Sequence, residues 1–439
     1  MDATSILIVF SLLVVFSYLF DSFARKTKFP SVILLMLTGI ITRAVLDLYG
    51  FSPWGILDDL INVLGTVGLI LIVLEGALEL EISKEKMGVM LSGFAAAFVL
   101  LLANIYILTQ LLTLFFEIPY EAAVLHAIPL SIISSAVAIP SASGYDTKRK
   151  EFVVYESTFS DILGILIFSY AIRQFESQAA LVGVASLTNL GLQLLGIVVI
   201  SVGITFVLFQ LIKSIVHPVK FFLLLALLVL VYAIGKYLHL PALVTIFIFG
   251  LILSNSKNVL PAFLLKGVKP EKLEEELKSF HILTAESTFL ARTFFFLFFG
   301  FSITLGNLSD PNAYFYGVVI VGVMLLARYL YMAVTTLKIN PGSLTYHAPR
   351  GLISILLFFQ IKELDNPLFQ SEQIDQNLLL IVIILSIAVL LAGTLKKPTQ
   401  QLTTTENVKE DLSDVDITIP NFDAQNEDDN ADNEKTLID

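Results

Sequence analysis

The chain is a succession of long apolar runs broken by short polar connections. A run of about 20 apolar residues can satisfy its own backbone hydrogen bonds as a helix and is long enough to cross a bilayer. Such runs recur almost from end to end, and they predict thirteen spans: roughly 3–21, 31–47, 60–80, 88–116, 119–140, 152–172, 186–212, 220–237, 241–255, 287–304, 312–336, 346–362 and 376–395. The eighth and ninth are short and separated only by YLHL. The fold class that follows is an all-α polytopic membrane protein.

Composition agrees with this pattern. Charged residues make up 15% of the chain and the mean hydropathy is +0.83, whereas soluble domains run near one quarter charged. There is no cysteine, which excludes disulfides and cysteine metal sites. The first span lacks a basic segment before it and a small-residue cleavage site, so it reads as a retained helix rather than a signal peptide. The net charge of −11 belongs almost wholly to one end: residues 398–439 hold twelve Asp/Glu against two Lys. That segment is polar, acidic and poor in aromatics, and reads as a disordered tail. Residues 1–397 form the membrane domain, close to neutral.

Basic residues orient the spans. With the N-terminus outside, the inner connections carry Arg25, Lys26 and Lys28, then Lys84 and Lys86, then Lys148, Arg149 and Lys150, then Lys213 and Lys220. Five Lys between 257 and 278 follow, then Lys338, Lys396 and Lys397. The outer connections hold Arg173, Lys236 and Lys362, with Arg43 near a helix end. Positive charge accumulates inside, so the reading is N-out and C-in with an odd number of spans.

An internal repeat fits this count. FPSVILLMLTGII (29–41) aligns without gaps to LPALVTIFIFGLI (240–252), matching Pro30 to Pro241 and Gly39 to Gly250. The first copy opens a span running outward and the second opens one running inward. The arrangement predicted is two inverted six-helix repeats (about 3–172 and 220–395) joined by a linking helix at about 186–212. Inverted repeats with discontinuous helices near the midplane are an architecture of secondary transporters.

Charges inside spans are functional candidates. The sixth span carries ESTFSD (156–161). Entering from the inside, Asp161 lies about nine residues in, about 14 Å deep at 1.5 Å per residue, near the middle of a core about 30 Å thick. Glu156 is about 7.5 Å shallower and points about 140° away, so the two carboxylates need different partners. Arg350, a few residues into the twelfth span, has the matching depth for Glu156 and suits a bidentate ion pair. Asp161 is accompanied by Ser157 and Ser160, an oxygen set of the kind a hard cation takes. A carboxylate there can hold a proton or a cation but not both, which suffices for exchange.

The fifth span, LSIISSAVAIPSASGYD, holds five Ser, four of which (Ser134, Ser135, Ser141 and Ser143) gather with Pro140 around its inner end. It reads either as an unwound segment with free carbonyls or as a helix simply ended by proline. Equal depth allows a Glu75–Arg292 pair, with snorkelling to the interface as the alternative. Arg328 and His347 read as structural.

In this order and orientation, FPSVILLMLTGI, LEGALELE, ESTFSD, FFGFSI and RGLIS resemble the monovalent cation:proton antiporter family, the group containing the sodium/proton exchangers. The resemblance covers roughly residues 25–395. It implies that Glu156 pairs with Arg350, that Ser157 ligates the cation, that Asp161 is the essential ion-binding residue, and that Ser134 and Ser135 occupy an unwound crossing segment. Two positions depart from the family pattern: Ser160 stands where relatives have Asn, and Ser134–Ser135 where they have Thr–Asp. The electrogenic relatives carry Asp–Asp in the sixth span and Lys in the tenth; this chain has Ser160–Asp161 and Arg292. The resemblance therefore implies electroneutral exchange of Na⁺, or of K⁺ or Li⁺, for H⁺ by a homodimer in the cell membrane. The alternatives are a K⁺/H⁺ antiporter, or a channel or non-transporting sensor on the same fold. No resident cofactor, no nucleic-acid partner and no enzymatic activity is expected; the substrates are the cation and the proton, and the lipid bilayer is the remaining partner.

Overall fold

The computed structural model describes residues 31–48, 54–177, 221–237, 242–256, 270–303, 311–335, 342–364 and 374–395, with parts of 11–23 and 196–210 and residues 366 and 369. These residues are helical nearly throughout. The elements are α1 (Ser31–Leu48), α2 (Trp54–Glu79), α3 (Met87–Phe115), α4 (Tyr120–Ser131), α5 (Ser135–Ser141), α6 (Thr147–Glu176), α7 (Phe221–Tyr237), α8 (Ala242–Ser254), α9 (Pro270–Ser302), α10 (Pro311–Thr335), α11 (Gly342–Thr345), α12 (Leu352–Glu363) and α13 (Gln376–Leu395).

Among the described residues, seven segments are long and apolar enough to cross a membrane, and α7, α8 and α12 are shorter apolar helices. The thirteen helices are not the thirteen predicted spans one for one. The first and seventh spans are described only in part, as helix at 14–20 and 199–207. The fifth is two helices with a break between them, and the twelfth is helical only from Leu352, its first residues forming a break after the short helix α11. The acidic tail lies outside the described residues.

Three helices begin well before their predicted starts: α2 at Trp54 rather than near 60, α6 and α9. α6 begins at Thr147 because the Asp146 carboxylate accepts a hydrogen bond from the Arg149 N–H at 3.0 Å, satisfying a donor that the first turn leaves free. α9 starts at Pro270 rather than near 287. Its polar first half, PEKLEEELK, consists largely of strong helix formers with proline at the first position, where its missing N–H costs nothing.

Apolar side chains are exposed on the outside of the bundle, including Leu91, Tyr106 and Phe115 on α3 and Phe315, Leu326 and Val334 on α10. This is the inverse of a soluble protein and suits lipid contact. Between helices in lipid, association rests on close packing of small residues rather than on burial from water. α1 and α9 meet in this way at Gly39 and Gly300. A Cβ on Gly39 would lie 2.1 Å from the Leu297 carbonyl, and one on Gly300 would lie 2.1 Å from that of Met36. The second copy of the sequence motif packs likewise: a Cβ on Gly250 of α8 would lie 2.7 Å from Ala77 Cβ of α2. Thus each copy packs on the third helix of the other half.

The connection from α2 to α3 is pinned at both sides. Asn255 Oδ1 accepts from the Ile82 N–H at 2.6 Å and its amide donates to the Leu80 carbonyl at 2.8 Å. The Tyr155 hydroxyl donates to the Glu81 carbonyl at 2.7 Å. These contacts fix the first half of α6, the helix that carries Glu156 and Asp161.

Candidate functional site: a crossing of two broken helices beside Asp161

α4 stops at Ser131 and α5 starts at Ser135, with an extended link at Ile132–Ser134. The break lies upstream of Pro140, which sits inside α5. Pro129, in the last turn of α4, contributes no N–H to the helical ladder. The equivalent break in the second half is the non-helical stretch 347–351 between α11 and α12. The two links touch: the Ser134 N–H donates to the Pro349 carbonyl at 2.9 Å. The approach leaves no room for a side chain at Gly351, where a Cβ would lie 2.7 Å from Ser134 Oγ.

α6 packs against this crossing and supplies its caps. Ser160 Oγ accepts from the Ile133 N–H at 3.0 Å, and Asp161 Oδ2 accepts from the Ser135 N–H at 3.1 Å. Both are N–H groups that the broken helix cannot satisfy internally. Asp161 is 5% exposed, and its other oxygen, Oδ1, is buried without a hydrogen-bond partner. Ser134 Oγ and Thr158 Oγ1 are buried in the same condition. Ser157 Oγ donates to the Val153 carbonyl at 2.7 Å, which leaves its oxygen free to accept or to ligate.

The structure therefore brings Asp161, Ser160 and Ser135 together directly and places Ser134 at the crossing one residue away. Ser157 bonds within its own helix. Thr158, one turn before Asp161, was not among the sequence candidates; a hydroxyl three residues from a midplane carboxylate lies on the same helix face, and that spacing was the available signal.

The expected pair between Glu156 and Arg350 is not the one formed. Glu156 is held by Arg328 of α10: Nη1 donates to Oε1 at 2.6 Å and Nη2 to Oε2 at 2.8 Å. All three side chains are buried. Arg328 Nε also donates to the Leu344 carbonyl at 2.9 Å and Nη2 to that of His347 at 3.2 Å. One guanidinium thus ties α6 to the last turn of α11 and to the second break. The depth arithmetic failed for Arg350 because it assumed helix. Residue 350 lies in non-helical chain, where the helical rise per residue does not apply, and its guanidinium instead donates to Met324 Sδ at 3.1 Å. The same arithmetic applied to Arg328 finds it: it is about 16 residues from the outer start of its span, about 24 Å, and so level with Glu156.

His347 and Arg328, read as structural, both buttress the crossing. The His347 ring nitrogen Nε2 is 2.8 Å from the Ala138 carbonyl. Arg292 of α9 approaches both oxygens of Glu75 at 3.4 Å, a loose pair that joins α2 to α9.

Comparison with solved structures gives similarity to the sodium proton antiporter MjNhaP1 from Methanocaldococcus jannaschii. A structure at pH 8 matches with a TM-score of 0.67 at 20% identity, covering 90% of this chain and 98% of that one. An electron-microscopy structure of the same antiporter gives 0.65 at 20% identity, covering 90% and 95%. At this identity the likeness shows the shared fold. A comparison with curated proteins gives no match. Residues 10–399 match the model for the transmembrane part of sodium/hydrogen exchangers. With nearly the whole membrane domain inside that match, the chain belongs to the sodium/hydrogen exchanger family, multi-pass membrane transporters that exchange cations for protons.

Proposed function

We propose that the protein exchanges Na⁺ for H⁺ by alternating access, one for one, with both ligands competing for Asp161. K⁺ and Li⁺ are secondary candidates for the same site. The observation that carries this reading is the state of the Asp161 carboxylate: one oxygen is held by the Ser135 N–H, and the other is buried without a hydrogen-bond partner. An oriented carboxylate with one open oxygen, on the same helix face as Ser157 and Thr158 and held by the residue that follows Ser134, suits either a proton or a small hard cation.

Electroneutrality follows from the other charges. Glu156 has both oxygens taken by Arg328. Within the membrane-spanning part of α9 (287–302) the basic residue is Arg292, and arginine does not deprotonate in proteins. Asp161 is then the group left to carry charge across. The N-out, C-in orientation, the inverted repeats, residence in the cell membrane and a homodimer belong to the same proposal. Its support is the distribution of basic residues, the matched packing at Gly39 and Gly250, and the two breaks that meet at Ser134 and Pro349.

Proteoliposomes carrying a proton-sensitive dye test the reading. Addition of Na⁺ should move protons in the wild type, equally with the membrane potential clamped or free, and should move none in Asp161→Asn. Absence of exchange in the wild type with Na⁺, K⁺ or Li⁺ would contradict it.

A further inference from the structure

The pair between Glu156 and Arg328 leaves a second buried arginine behind. Arg350 is 2% exposed. The charged groups that act on it are Arg328, which repels it, and Glu156, which attracts it, yet both Glu156 oxygens are already bonded to Arg328. Two guanidinium groups thus share one carboxylate, and the cluster carries a net positive charge out of contact with water. A buried charge is retained where it is paired.

Arg350 has unused donors. Its backbone N–H is bonded to Ser386 Oγ at 2.9 Å and Nη2 to the Met324 sulfur, a weak acceptor. Nε and Nη1 are buried and have no hydrogen-bond partner. Arg350 lines a cavity of about 20 Å³ together with Asn104, Ile133, Met324, Arg328 and Ser386. Asn104 is itself buried and its Oδ1 also lacks a partner; its amide oxygen and nitrogen are interchangeable by rotation, so it can turn a donor toward an occupant.

We infer that this cavity is a binding site for one small monovalent anion of the halide class, held by the guanidinium of Arg350 and the amide of Asn104. Its volume suits a single small occupant rather than a phosphate or a carboxylate ligand. A water would satisfy donors but leave the charge uncompensated. The transported cation is repelled by two guanidinium groups. The anion would fix the non-helical stretch 347–351 that carries Pro349, and so the far side of the crossing at Ser134.

The test is thermal unfolding of the purified full-length protein in detergent at fixed Na⁺ and fixed ionic strength, with gluconate replaced stepwise by chloride or bromide. The wild type should show a saturable upward shift of the unfolding midpoint. Arg350→Gln should lose that dependence. Asn104→Asp, which places a carboxylate at the cavity, should be insensitive to halide with a midpoint already raised in gluconate; this variant decides the matter if Arg350→Gln does not fold. Equal midpoints in gluconate and halide for the wild type, or an undiminished halide shift in Asn104→Asp, would overturn the inference. Because the readout is stability, it stands or falls independently of Na⁺/H⁺ exchange.

Discussion

Arg328 and Glu156, 172 positions apart in sequence, meet through two parallel hydrogen bonds of 2.6 and 2.8 Å. The same guanidinium reaches the carbonyls of Leu344 and His347. The ion pair is therefore a strut between α6 and the second break, rather than a contact between α6 and the helix that follows that break.

A double-mutant cycle separates the two arginines. Glu156→Gln combined with Arg328→Met should show strong coupling, with either single change costing about 3–5 kcal/mol because it strands a buried charge. Glu156→Gln combined with Arg350→Met should couple far more weakly. Chemical or thermal unfolding in detergent measures both; a larger coupling to Arg350 would reverse the assignment.

Ser160 and Ser157 should separate by phenotype. Ser160 satisfies the Ile133 N–H in the break, so Ser160→Ala leaves a buried donor unmade and should destabilise the protein by about 1–3 kcal/mol. Ser157 bonds only to carbonyls of its own helix. Ser157→Ala should change stability little while weakening the apparent cation affinity, seen as a raised KM for Na⁺ in vesicle exchange assays.

The crossing of α1 and α9 tolerates no side chain. Gly39→Ala or Gly300→Ala drives a Cβ against a backbone carbonyl at 2.1 Å, and backbone cannot step aside as a side-chain tip can. Each substitution should cost at least about 1–3 kcal/mol. Size-exclusion profiles and melting curves of the purified variants check this. Gly88, whose Cβ would meet nothing within 4 Å, serves as the control and should accept alanine.

Lys86 lies outside the spans and bridges Glu81 at 2.6 Å and Glu151 at 3.3 Å. The hydrogen bond to Glu81 raises its pKa above 10.5 against an opposing contribution from burial, with Glu151 adding to the rise. A raised amine pKa contributes stability that is fully present at neutral pH and lost only as pH climbs through the raised value. Half-exposed pairs of this kind are worth about 0–1 kcal/mol. Lys86→Met should therefore leave the shape of the exchange-versus-pH curve unchanged between about pH 6 and 9; a shifted curve would make this pair part of the pH response.

Much of this was legible in the sequence because membrane helices advertise themselves. The span at 376–395 has the bounds of α13, and ESTFSD with its neighbouring serines identified the residues that the structure gathers around the break. The break itself was visible as serines near a proline, but its place was not. Pro140 drew attention, while the chain unwinds at Ile132–Ser134, where α6 can supply Ser160 and Asp161 as caps. Depth along a helix predicts partners only while the chain stays helical, which is why Arg350 was misplaced and Arg328 passed over. The contact between Ser134 and Pro349 depends on two non-helical links and has no periodicity to reveal it.

The central claim is that cation and proton share Asp161, and the most direct measurement is proton release when Na⁺ binds to the purified protein. In weakly buffered detergent solution at acid pH, Na⁺ should displace up to one proton per cation bound to the wild type, and the apparent affinity should fall about tenfold per pH unit while the site is protonated. Asp161→Asn should release none. Na⁺ binding to the wild type without proton release, or undiminished release from Asp161→Asn, would contradict the account.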